Sequence, residues 1–226
     1  MKNRIIILLI TFIGFIENIH SQAFDKGNIN IDLDMGGSAY GVLVTSKVEL
    51  GTIKLTDTDV DATAAGVFRI GAEYGLSKRF GLGIKLGSSN HVIAKDDKDT
   101  VKSITTKDFA FLINFHMLNA ERNDLFLTLG LGFVYGDWEY QENPGIFLDE
   151  IEGSGGYLCF GLTDRIFFSD HIGILFSLQY AAYNYKGLEP ELSAPGKAIV
   201  GNLAYKWTLD YELKGVYLGT GLAVKF

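Results

Sequence analysis

The sequence predicts an all-β protein, an eight-stranded antiparallel transmembrane up-and-down β-barrel. Three observations lead to this prediction. Apolar residues recur at alternate positions in eight segments of strand length, the connections between segments alternate between short and long, and aromatic residues gather near both ends of the segments. After the apolar run at 5–16, no stretch approaches the roughly 20 residues that a spanning helix needs. Strands would therefore have to cross the membrane.

The first residues have the pattern of an export signal. Lys2 and Arg4 precede the apolar run at 5–16, and the small-residue stretch at 21–23 follows it. Because the run is too short for a spanning helix, we expect a secretory signal peptide over 1–23 and a barrel over 24–226. Cleavage after Ser21 is the alternative.

The eight segments share one pattern, with bulky apolar side chains on one face and mainly glycine, small or isolated charged residues on the other. They are 29–36, 68–75, 80–87, 108–116, 125–136, 158–166, 172–180 and 216–226. A soluble β-sandwich would carry long charged side chains on its polar face. A glycine-rich face instead suits the narrow interior of a closed eight-stranded barrel. The apolar faces then contact lipid, and closure satisfies the backbone hydrogen bonds.

The connections between segments alternate strictly in length. The short ones are 75–79, 118–124 and 168–171, and the long polar ones are 45–63, 88–106, 139–154 and 186–205. Bacterial barrels combine short periplasmic turns with long extracellular loops, so we expect both chain ends in the periplasm.

Aromatic residues near the two kinds of connection predict two interfacial girdles. Those beside the short turns or the terminus are Tyr74, Phe80, Phe115, Phe126, Phe167 and Phe226. Those toward the long loops are Tyr135, Trp138, Tyr140, Tyr180, Tyr183, Tyr185, Trp207 and Tyr211.

The last segment contains a change of phase. Apolar residues occupy odd positions from Trp207 to Leu213 and even positions from Val216 to Phe226. A β-bulge at Lys214 and Gly215 would reconcile the two runs. A ninth strand that turns at the same place is the rival interpretation.

The chain resembles the small outer-membrane β-barrel domain family of the OmpA-barrel and OmpX-like type. The exported N-terminus, the hairpin at 71–83 and the closing segment with its terminal aromatic residue carry the resemblance. It implies a bacterial outer-membrane location and a C-terminal insertion signal, read by the barrel-insertion machinery, at Leu218, Leu222, Val224 and Phe226. The family includes adhesins, resistance factors, structural proteins and pores, so the fold does not choose among them.

Six charged residues have the parity of the glycine-rich face and should point into the barrel. They are Asp32, Asp34, Arg69, Glu73, Lys85 and Arg165. Charges in a confined lumen are costly unless they pair, so we expect an interior salt-bridge network. A network that plugs and rigidifies the barrel is favoured over the lining of a selective pore, because eight strands leave little lumen.

Few residues suggest catalysis or metal binding. His91 with Ser88 and Ser89 is the only surface pair that could suggest a lipid A-modifying enzyme, and it has no third, orienting group. The run Asp57, Asp59, Asp61 begins like a calcium loop but lacks the later ligands, which favours a solvated acidic loop.

The remaining composition narrows the function classes. A single cysteine, Cys159, excludes an internal disulfide, and a net charge of −7 argues against a nucleic-acid partner. No zinc spacing, phosphate loop or nucleotide fingerprint occurs, so we expect no cofactor. The sequence predicts a non-catalytic barrel whose loops contact an extracellular partner or support the envelope. A narrow channel or carrier for small or apolar solutes is the alternative, and an enzyme comes third.

Overall fold

The chain forms one closed antiparallel barrel in the computed structural model, which describes residues 23–141, 148–200 and 205–226. The strands are β1 (Ile29–Leu50), β2 (Ile53–Gly75), β3 (Phe80–His91), β4 (Val101–Asn119), β5 (Asn123–Tyr140), β6 (Leu148–Phe167), β7 (Ile172–Leu188), β8 (Glu191–Leu192) and β9 (Tyr205–Lys225). A 3₁₀ turn spans Lys95–Asp97, and one short α-helix, α1, spans Ala194–Val200. The predicted signal peptide lies outside the described residues, apart from Ala23.

Eight of these strands make the ring. Each of β1 to β7 pairs with its neighbour in sequence, β7 pairs with β9, and β9 pairs with β1 to close the barrel. β8 is only two residues long and pairs with β6 outside the ring. The eight-stranded antiparallel barrel predicted from the sequence is therefore confirmed.

The predicted faces are also observed over the lower part of the barrel. About half of the side chain is exposed on the outer face at Phe68, Leu82, Leu129 and Leu218. Thr128, directly before Leu129 on β5, points inward and is buried. Gly130 shows how crowded the interior is, because a Cβ added there would lie 2.6 Å from Cys159 Sγ. This outer band of bulky apolar side chains is what a lipid-facing barrel surface requires.

The strands are longer than the sequence pattern predicted. Most of the predicted loop 45–63 is strand, because β1 and β2 continue to a two-residue turn at Gly51 and Thr52. Gly51 has φ +61°, a conformation that side chains other than glycine rarely adopt. β3 to β7 likewise extend into the predicted loops 88–106, 139–154 and 186–205. The last of these loops also contains β8 and α1.

The predicted β-bulge at Lys214 and Gly215 is wrong. β9 pairs with β1 without interruption from Tyr205 to Lys225, and odd-numbered residues point inward throughout. The apolar residues change face because the surroundings change. Near Val216 the outer face is the apolar one, whereas Leu209 and Leu213, further up, are buried inside the barrel.

The same change of face places most of the aromatic residues predicted for the upper girdle inside the barrel. Trp138, Tyr183 and Tyr185 are buried in an interior cluster, and Tyr140, Trp207 and Tyr211 pack against that cluster. Of the aromatic residues at the lower end, Phe126 and Phe167 are also buried inside, while Tyr74, Phe80 and Phe226 are exposed on the outer face. None of the helices that the structure describes is long and apolar enough to cross a membrane.

The rim of the barrel is uneven. β2 has 23 residues and β3 only 12, so the pairing between them stops at Ala65 and His91. Above that level, among the described residues, β2 pairs with β1 alone, and no other described strand lies along its second edge up to Ile53. β4 begins on the far side of this break at Val101.

Candidate functional site

The lower half of the lumen holds a cluster of charged side chains around Arg165, which we call the Arg165 cluster. It consists of Arg165, Asp32, Glu73, Asp124 and His116. Arg165 Nη2 lies 2.6 Å from Asp32 Oδ2, and Nη1 lies 2.7 Å from Glu73 Oε2 and 3.1 Å from Asp124 Oδ2. The guanidinium is 1% exposed and lies over the ring of Phe126. Three carboxylates thus surround one buried cation.

His116 ties two of these carboxylates together. Its Nδ1 lies 2.5 Å from Asp124 Oδ1, and its Nε2 lies 2.9 Å from Glu73 Oε1. An imidazole with a carboxylate acceptor on each nitrogen uses both N–H groups, which is the protonated form. Asn114 donates a further hydrogen bond to Glu73 Oε1 and accepts one from Thr128.

The segment before β1 covers this cluster at the end with the short turns. The ring of Phe24 stacks on His116 with 3.5 Å between ring centroids, and Phe24 is fully buried. The backbone N–H of Phe24 donates to Asn119 Oδ1 at 2.9 Å. The N-terminal segment therefore lies across the lumen at that end.

A second polar group, which we call the Lys85 cluster, lies around Lys85 and Arg69. Lys85 Nζ donates to Tyr157 Oη at 2.8 Å and to Gln179 Oε1 at 2.9 Å, and Arg69 donates to the same Gln179 oxygen at 2.8 Å. Arg69 also lies 3.7 Å from the ring centroid of Tyr217. Tyr217 in turn donates to Asp34 Oδ1 at 2.7 Å.

The six charged residues predicted to point inward therefore fall into two groups. Asp32, Glu73 and Arg165 meet in the Arg165 cluster, and Asp34, Arg69 and Lys85 belong to the Lys85 cluster. All six line a small cavity of about 50 Å³, which has room for a few water molecules. The lumen at this level is filled by side chains.

Sequence reasoning missed Asp124 and Asp108. Asp124 was assigned to a short turn, yet its even number continues the inward parity of Thr128 and Gly130 on β5. Asp108 was read on the inward face but was not counted among the charges. Both its carboxylate oxygens are buried without a hydrogen-bond partner among the described residues.

A larger cavity opens above the polar clusters, and we call it the aromatic pocket. Its volume is about 390 Å³. Its walls are mainly apolar and include Val42, Val44, Leu213, Trp138, Tyr140 and Tyr211. It lies at the break in the wall, since residues 61–64 of β2, residues 91–94 and Val101 of β4 all line it.

The remaining residues that the sequence analysis named as candidate sites lie outside the Arg165 and Lys85 clusters. Asp57, Asp59 and Asp61 are not in a loop, because they lie on β2 with one orientation. His91 lies 3.5 Å from Thr106 Oγ1, and no hydrogen bond to Ser88 or Ser89 is seen among the described residues. Within the described part of the chain, no three His, Cys, Asp or Glu side chains are placed to hold a metal ion.

The four residues of the predicted insertion signal lie on β9 or directly after it. Leu218, Leu222 and Phe226 are exposed on the outer face, and Val224 is half-buried. This placement leaves them on the surface that the barrel offers to lipid.

Comparison with solved structures shows the same fold. The outer membrane protein OprG from Pseudomonas aeruginosa superposes with a TM-score of 0.55 at 14% identity, over 89% of this chain and 97% of OprG. The outer membrane protein AlkL in lipid bilayers gives a TM-score of 0.49 at 12% identity, over 92% of this chain and 94% of AlkL. Neisserial surface protein A gives 0.45 at 10% identity, over 85% and 99%.

No protein-family model and no curated protein matches the sequence. At such low identity the similarity to OprG shows the fold and says nothing about a ligand. The chain has the fold of the small eight-stranded outer-membrane barrels, and the resemblance inferred from the sequence is confirmed at that level.

Proposed function

We propose that the protein is a non-catalytic outer-membrane barrel that keeps its lumen closed across the membrane and binds partners or ligands at its extracellular end. The single observation that carries this proposal is the division of the interior. The membrane level is filled by the Arg165 and Lys85 clusters, and the open volume lies above them in the aromatic pocket.

The orientation is part of the proposal. The short turns, the segment that begins at Ala23 and the C-terminal Phe226 lie at one end of the barrel, and the long strands extend toward the other. In bacterial barrels the short turns face the periplasm. We therefore assign the aromatic pocket to the outside of the cell, residues 1–23 to export, and Leu218, Leu222, Val224 and Phe226 to recognition by the insertion machinery.

The absence of catalysis is supported by the partners of the two interior histidines. His116 is held between two carboxylates and under Phe24, with no hydroxyl or thiol bonded to it among the described contacts. His91 bonds Thr106, and its Nδ1 has no orienting partner there. Mass analysis of lipid A from cells with and without the protein tests this point, and any modified species that depends on expression contradicts it.

Conductance in planar bilayers tests the closed lumen. We expect no stable openings from purified protein whose insertion has been verified by protection from protease. Stable, voltage-independent openings would show that the clusters do not close the barrel. A variant with Lys85→Ser and Gln179→Ser supplies the contrast, because removing both side chains from the Lys85 cluster should raise the frequency of openings.

A carrier for small apolar solutes is the second candidate, and the aromatic pocket is what favours it. A cavity of about 390 Å³ with mainly apolar walls is in the size range of small-molecule sites. If the barrel passes such solutes inward, expression should speed cellular uptake of an apolar fluorophore. Val44→Trp, which fills the pocket, should abolish the gain. Unchanged uptake would leave binding without transport.

A further inference from the structure

We propose that the aromatic pocket binds an apolar ligand that carries a positive charge, such as an arylalkyl ammonium ion. This inference rests on the proposed binding role of the extracellular end and names the class of ligand. Three features of the pocket lead to it: an aromatic wall, carboxylates without a lysine or arginine in the described lining, and a buried acceptor on His91 that has no partner among the described residues.

The aromatic wall suits both halves of such a ligand. Trp138 and Tyr211 stack with 4.9 Å between ring centroids, and Tyr140 lies beside them in the lining. Aromatic side chains bury the apolar body of a ligand, and their faces attract cations. Val42, Val44 and Leu213 add aliphatic surface.

The charged residues of the lining are all acidic. Asp59 and Asp61 line the pocket from β2, and Asp97 lines it as well. No lysine or arginine occurs among the described residues that line it. All three residues are exposed at the pocket, so their carboxylates favour a cation and disfavour an anion through an attraction that salt screens.

Asp59 and Asp61 are held in position by the strand that carries them. One oxygen of Asp59 accepts from the Val60 backbone N–H at 2.9 Å, and one oxygen of Asp61 accepts from the Ala62 N–H at 2.7 Å. Each carboxylate keeps a second oxygen that can face a ligand. Asp57 bonds the Thr58 N–H in the same way, but it does not line the pocket.

His91 provides the independent sign that the pocket is built for a ligand. Its side chain lines the pocket and the residue is only 8% exposed, yet Nδ1 has no hydrogen-bond partner among the described residues. Nε2 lies 3.5 Å from Thr106 Oγ1, so the neutral ring can donate there and accept at Nδ1. Buried acceptors are nearly always satisfied, so an acceptor without a partner beside the pocket favours a ligand that carries a donor group.

Binding of three probes with one aromatic body tests the proposal. Naphthylmethylammonium, naphthalenemethanol and naphthaleneacetate differ chiefly in charge, and calorimetry on protein in nanodiscs measures their affinities. We expect the ammonium ion to bind about ten-fold tighter than the alcohol, and the acetate to bind more weakly than either. Added salt should weaken only the binding of the ammonium ion substantially.

Matched variants assign the effect to the pocket. Asp59→Asn with Asp61→Asn keeps acceptors for the strand N–H groups but removes the charge, so the ammonium ion should fall to the affinity of the alcohol. Asp57→Asn is the control, because it removes a neighbouring charge on the same face outside the pocket, and it should change nothing.

The outcomes separate this inference from the function on which it rests. If none of the probes binds, the proposed binding role of this end fails together with the inference. If the ammonium ion and the alcohol bind equally, and the Asp59 and Asp61 substitutions have no effect, the pocket binds apolar ligands without regard to charge. The carboxylates then serve only to occupy the free edge of β2, and the inference is wrong.

Discussion

Replacing Arg165 by methionine should destabilise the barrel more than any other single change in its lumen. The guanidinium makes four hydrogen bonds to Asp32, Glu73 and Asp124 and is almost fully buried. Removing one partner of a buried ion pair costs about 3–5 kcal/mol, since it leaves uncompensated charge in the interior. Arg165→Met leaves three carboxylates with His116 as their only cation among the residues of the cluster, which points to the upper part of that range.

The assay is reversible urea unfolding from lipid vesicles at neutral pH, followed by tryptophan fluorescence. Arg165→Lys is the matched control. It keeps the charge but loses the bidentate hydrogen bonding in which Arg165 Nε and Nη2 donate to the two oxygens of Asp32 at 3.0 and 2.6 Å. We expect its loss of stability to lie between those of the wild type and Arg165→Met.

A double-mutant cycle with Glu73→Gln checks the physical reason. Because Arg165 compensates the Glu73 carboxylate, removing both should cost less than the sum of the two single losses, by about 0.5–3 kcal/mol. A loss below about 1 kcal/mol for Arg165→Met, or strict additivity in the cycle, would refute the view that this cluster holds the barrel wall together.

Three further predictions address the membrane surface, the closed sheet and the upper strands. Leu129→Arg places a charge on the outer band and should cost about 2–4 kcal/mol in vesicles if the residue lies near the bilayer midplane, whereas Thr128→Ser in the lumen should be nearly neutral; equal losses would contradict the assigned faces. The barrel should resist SDS until boiled and migrate differently before and after heating, and a protein that stays soluble without detergent and shows no such shift would overturn the membrane assignment. Hydrogen bonds from Lys47 on β1 and from the Gly187 N–H on β7 lower the pKa of Asp210 on β9. The ionised carboxylate therefore stabilises the contact between these strands above the ordinary aspartate pKa, and this contribution is lost as the pH falls through the lowered pKa. The protection of the Gly187 amide from hydrogen exchange should therefore drop in acid, and Asp210→Asn should remove that pH dependence; a drop of the same size in the variant would exclude Asp210 as its cause.

The fold could be predicted because period two and lipid exposure act together. Where the outside is lipid, as around Leu129 and Leu218, the bulky residues mark one face and the register follows. Above the apolar band the outside is polar and the inside is packed, so Leu209 and Leu213 obey the opposite rule. The rule that apolar residues face outward, applied to the whole chain, therefore predicted a β-bulge in an unbroken strand. It also predicted loops where the polar upper strands lie.

The same alternation predicted which charged residues point inward, but it could not predict which of them come into contact. Sequence spacing cannot show that Arg165 on β6 meets Asp32 on β1, which lies 133 positions away and across the lumen. Asp124 could have been found by extending the inward parity of β5 toward the turn. The aromatic pocket had no signal of its own, because it depends on β3 ending at His91 while β2 continues.

The uneven rim makes access to the barrel directional. The β2 strand exceeds β3 by 11 residues, from 23 against 12, which corresponds to about 35 Å of strand length. Above the apolar band, a molecule that approaches β1, β2 or β9 meets a continuous wall, whereas one that approaches beside β3 meets the break where the pocket lies. Rotation of the barrel about the membrane normal thus decides which neighbouring molecules face the break. A fixed orientation within an assembly would turn the break of each copy in one direction.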